Sequence, residues 1–126
     1  MGELDSNALT RWLDRHPAML ALLEASQQSG GAAYVPTVCL VESLRGTPAD
    51  AVLHQRLGGC QPVPLTELLA RSAARLRDAV DGHDVVDPVV AATASHLDAV
   101  IVSGDRDLLL LAHRCDPPIE VVDPGG

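Results

Sequence analysis

The sequence predicts an α/β domain of three layers, helices on both faces of a short sheet of four or five parallel strands. Three observations carry this. Short apolar segments alternate with segments of helical periodicity along the whole chain. The segment DAVIVS, residues 98–103, is nearly continuous in apolar residues, the pattern of a strand buried on both faces. Proline and glycine stand at the transitions, where a parallel sheet needs its chain to turn into and out of helices. With 126 residues, 47% of them apolar and 21% charged, one globular domain spanning 1–126 accounts for the chain.

The elements follow in order. Leu4 closes a short apolar start. Residues 6–15 read as a helix with Ala8, Leu9, Trp12 and Leu13 on one face. Pro17 opens a second helix, which runs out at Gly30-Gly31. Residues 32–35 form a buried strand. A helix then starts at Pro36-Thr37 and stops at Gly46, and another runs from Pro48 to Leu57. Residues 62–65 read as a strand, and Thr66 caps a helix to about Val80. Asp87-Pro88 predicts a helix start with Asp at the N-cap and Pro at the first helical position. The small residues that follow suggest close approach to the sheet. After DAVIVS, Asp105 or Asp107 caps the helix LLLLAHR, and residues 119–122 give the last strand.

Composition narrows the chemistry. The formal charge is −8, and all nine basic residues are Arg. Without Lys, P-loop, Schiff-base and kinase-type machinery are excluded, as is a receiver-type acidic domain that needs a Lys near its acids. Cys39, Cys60 and Cys115 form no CxxC pair, so neither a disulfide framework nor a zinc knuckle is indicated. The five His show no HExxH pattern. The longest apolar run is far short of a bilayer span, and MGELDSNAL has neither a basic nor an apolar leader; the expectation is a cytoplasmic protein with no membrane partner.

In a parallel α/β sheet, ligands sit outside the carboxyl ends of the strands. Asp5, Glu42, Asp87 and Asp105 are each predicted at such a place. Singly each has a plain structural reading: Asp5, Asp87 and Asp105 as helix caps, Glu42 as the partner of Arg45 one turn on. As a set they predict a nest of carboxylates that would repel one another unless a cation intervened. Oxygen-only ligation favours Mg²⁺ or Mn²⁺ over zinc. Carboxylate-held Mg²⁺ is suited to phosphodiester cleavage.

Four segments, in order, resemble the signature blocks of one family: LDSNAL at 4–9, VPTVCLVESLRG at 35–46, VVDPVVAATA at 85–94 and VSGDRDLLLLA at 102–112. They look like the PIN domain, and most of all the VapC-type toxins of type II toxin–antitoxin modules. The resemblance implies a PIN-like fold and a Mg²⁺- or Mn²⁺-dependent ribonuclease. It puts Asp5, Glu42, Asp87 and Asp105 on the acidic quartet. Asp5, Asp87 and Asp105 would hold metal, and Glu42 would bind metal or orient water. Asp84 is an alternative third ligand, with Asp87 preferred because AATA follows it in the family's register. Asp107, Asn7 and Ser103 fall on supporting positions. Arg11, Arg15, Arg45 and Arg106 lie in or near these segments and could meet RNA phosphates. The family also implies a VapB-type antitoxin as partner, met by an apolar groove on the helices of residues 37–57, and a homodimer. The alternative is a catalytically silent PIN-like module that only binds a partner.

Overall fold

The computed structural model describes residues 2–4, 33–44, 46–48, 50–51, 55, 60–79 and 85–123. Five parallel strands form one sheet: β1 (Gly2–Leu4), β2 (Ala33–Pro36), β3 (Cys60–Val63), β4 (Val100–Val102) and β5 (Val121–Val122). Their order is β3-β2-β1-β4-β5, so the first strand is the central one. Among the described residues, four helices with defined bounds accompany them: α1 (Thr37–Ser43), α2 (Glu67–Ala79), α3 (Val86–Leu97) and α4 (Arg106–Arg114). The helices expected over residues 6–30 lie outside the described residues. Among the described residues, no helix is long and apolar enough to cross a membrane.

Local chemistry explains where the elements begin and end. Pro36 is the N-cap of α1, leaving the strand at φ −60° and ψ 133°, and Leu44 returns to extended backbone after Ser43. The stop thus precedes Gly46, which turns at φ 71° while its N–H donates to Asp50 Oδ2 at 2.8 Å. Thr66 caps α2 as expected: its Oγ1 accepts from the Leu69 amide at 3.3 Å. Asp105, not Asp107, is the N-cap of α4.

Three expectations are corrected. Asp87 is not the N-cap of α3; that position is Val85, with no side-chain cap bond, and Asp87 is the second helical residue. Pro88 therefore sits third, where its missing N–H is still one that no helical carbonyl would have met. The third strand lies at Cys60–Val63 and not at residues 62–65. It is an edge strand, registered through Pro62↔Val35, and an edge tolerates a residue with no N–H to donate. The last strand is also shorter than expected, because the Ile119 amide is taken by Ala112 O at 3.0 Å.

The core forms where α3 meets the sheet. Ala91 and Ala94 are fully buried in one cluster with Val35, Ile101, Leu108 and Ala112. Small side chains let the helix backbone approach the strands, while Ala73, Val89 and Ala92 make the α2–α3 seam. Complete burial of Ile101 stabilises by roughly 1.5–3 kcal/mol. This packing fixes α3 and β4, and with them the two segments that carry Asp87 and Asp105.

Candidate active site at the carboxyl rim of the sheet

The chain winds outward from β1 to β3 and then crosses back to β4. The reversal lies between β1 and β4, and in an open parallel sheet it leaves a crevice at the carboxyl ends of those strands. Leu4 is in register with Val102 there. Helix α1 departs from the same rim directly after Pro36. Only Asp98 and Ala99 separate α3 from β4, so the helix runs back along the sheet and its first turn, with Asp87, lies toward the carboxyl ends.

Asp105 is the best-defined residue of the rim. Its Oδ1 accepts from the Asp107 amide at 2.9 Å, which caps α4 and fixes the carboxylate. The Asp105 amide in turn donates to Ser103 Oγ at 2.9 Å. Ser103 is 2% exposed, and its own amide donates to Val122 O at 3.0 Å, tying the loop to β5. A chain of hydrogen bonds thus runs from the sheet edge to the carboxylate. Asp107 contributes its backbone to this chain, while its side chain is exposed. That backbone contribution is invisible in the sequence, where Asp107 stands out as a further acid and as an alternative cap.

Asp87 is half-buried in the first turn of α3, followed by the buried Pro88, Val89 and Val90. The positive end of the helix dipole favours a carboxylate there. Glu42 is the sixth residue of α1; its side chain lies outside the described residues, as do Asp5, Asn7, Arg11, Arg15, Arg45 and Asp84. Arg106 opens α4 and is exposed. Among the described residues, no group of three His, Cys, Asp or Glu stands close enough together to hold a metal ion. The two acids of the set whose side chains are described, Asp87 and Asp105, are half-buried oxygen donors, and such a donor set suits a hard divalent cation.

A parallel sheet of this order, with Asp87 and Asp105 carried to its switch point, defines a class of α/β domain. The model of the PIN domain matches residues 3–113, and the chain belongs to the PIN domain family. Solved structures share the fold over nearly the whole chain. One is VapBC2 from Rickettsia felis bound to a DNA fragment from their promoter, at TM-score 0.79 and 14% identity, covering 97% of both chains. Another is a toxin–antitoxin complex from Klebsiella pneumoniae, at 0.75 and 16%, covering 98% of both. A third is FitAcB from Neisseria gonorrhoeae, at 0.70 and 21%, again covering 98% of both. Among curated proteins, none matches the chain.

Proposed function

We propose that this protein is a Mg²⁺- or Mn²⁺-dependent ribonuclease and the toxin of a type II toxin–antitoxin module. One observation carries the reading. A chain of the PIN domain family has Asp87 and Asp105 on two segments at the switch point of its sheet, with Glu42 on a helix leaving the same rim. Asp5 follows Leu4 directly in the sequence. The fold shared with toxin–antitoxin complexes supports a small antitoxin of the VapB type as partner.

In this reading Asp5, Asp87 and Asp105 hold the ion, and Glu42 binds it or orients water. The ion, when bound, activates water and steadies the leaving oxygen of the phosphodiester. Asp105 arrives oriented by the Asp107 amide and the Ser103 hydroxyl, so little ordering remains to be done on binding. The start of α3 favours a negative charge at Asp87. A chain of charge −8 repels a phosphate backbone, so the substrate needs local cations; Arg11, Arg45 and Arg106 are the candidates. The antitoxin would lie on the helices of residues 37–57, and the toxin would act as a homodimer in the cytoplasm.

The test is cleavage of labelled RNA by the purified chain with Mg²⁺, with Mn²⁺ and with a chelator. Either metal should support cleavage and the chelator should stop it. Asp87→Asn should lower the rate by about a hundredfold or more with an unchanged circular dichroism spectrum. A wild-type chain inert with both metals, or an Asp87→Asn variant as active as wild type, overturns the nuclease reading and leaves the silent binding module. Cleavage of single-stranded DNA alone overturns the choice of RNA.

A further inference from the structure

At the other end of the sheet, α2 and the last turns of α3 and α4 surround a hollow of about 410 Å³. Leu68, Leu69, Leu76 and Ala92 supply its apolar wall. Each of the three helices also brings a basic side chain to it: Arg75 from α2, His96 from α3 and Arg114 from α4, against one acid among the described lining residues, Asp116. In a chain of charge −8 this is a local inversion of sign.

Helix ends explain part of it. His96 and Arg114 lie in the last turns of their helices, where a cation complements the exposed carbonyls. Arg75 has no such reason, since it sits in the interior of α2. Among the described residues the ion pair on this helix is Arg71–Glu67, and neither Arg75 nor Arg114 makes one. Two guanidinium groups from different helices therefore border one cavity, and neither makes an ion pair with Asp116 or with any other acid among the described residues.

We propose that this hollow binds a small phosphomonoester with an apolar, planar body, of the size and chemistry of a mononucleotide. The volume falls in the range of small-molecule sites. A phosphomonoester carries nearly two negative charges at neutral pH, which two arginines match, and the guanidinium fork fits phosphate oxygens. The leucines of α2 offer the base an apolar surface. This site is separate from the acidic rim, because α3 and α4 both begin at the rim and end at the hollow.

The experiment is calorimetric titration of the intact chain, with a chelator present, by adenosine monophosphate, adenosine and inorganic phosphate. The nucleotide should bind one to one and about tenfold tighter than either of its parts. Arg75→Gln and Arg114→Gln should each weaken it about tenfold, and Asp105→Asn should leave it unchanged. Both arginines are exposed, so their replacement leaves the core intact. Absence of saturable binding by the wild-type chain, equal affinity for adenosine, or binding that survives Arg75→Gln but not Asp105→Asn overturns the proposal.

Discussion

Asp105 has two duties that a pair of substitutions separates. As N-cap it holds the first turn of α4 through the Asp107 amide, and as a rim carboxylate it offers charge to a cation. Asn keeps the capping oxygen and removes the charge; Ala removes both. Asp105→Asn should therefore melt within a fraction of a kcal/mol of wild type, and Asp105→Ala should lose about 1 kcal/mol, both read from urea midpoints. In the proposed nuclease both should be inactive. Equal stability of the two variants would mean that the cap bond contributes nothing. The sequence left Asp105 and Asp107 as equal candidates for this cap, because each precedes the apolar run by a workable interval. What separates them is long-range: Ser103 is fixed by Val122 and takes the Asp105 amide, which sets Asp105 at the helix entrance. Asp87 reads as a cap in the sequence for a similar reason. Asp-Pro is a strong local signal, yet the helix starts two residues earlier, with Val86 packed against the core and Pro88 and Val89 buried.

The elements themselves were legible in proportion to their length. Helices α2, α3 and α4 each span nine or more residues and show caps or periodicity that local sequence carries well. Strands of two to four residues hold too little pattern, and β3 and β5 were displaced or overlong by about two residues. Their bounds follow from partners: β3 ends where β2 stops pairing, at Pro36↔Val63. The junction of α3 with β4 shows the same dependence. DAVIVS reads as one strand, but Asp98 is a left-handed C-cap at φ 53°, its amide bonding back to Ala94 and Ser95, and the strand proper begins at Val100. Asp is among the few residues other than Gly that adopt this conformation readily. Asp98→Val should cost about 1–2 kcal/mol, measured by chemical denaturation, whereas Asp98→Gly should be tolerated. A tolerated Val would show that the turn relaxes to another geometry.

At the scale of the molecule, stability is tied to pH and, in the proposed nuclease, to cations. Burial pushes the Cys60 thiol from 9.0 up to about 11, and burial also raises that of Cys115. A thiol that ionises earlier in the unfolded chain favours unfolding as pH rises, so stability is complete below pH 9.0 and falls toward about 11. Urea midpoints on either side of that window should show the loss, and Cys60→Ala should lessen it, leaving the part that Cys115 contributes. The acids act in the opposite direction and through a different ligand. In the proposed nuclease, a chain with net charge −8 that gathers carboxylates at one rim would fold against their repulsion, and an ion that binds only the folded rim would stabilise it by mass action. Mg²⁺ well above its dissociation constant should raise the melting temperature of the wild-type chain by about 5–10 °C. General screening of surface charge would raise every variant alike, so the informative comparison is with Asp105→Asn, whose cap is intact and whose net charge is less negative by one. A markedly smaller shift in that variant assigns the ion to the rim. Equal shifts in both would place magnesium elsewhere on the acidic surface and remove the rim from the proposed chemistry.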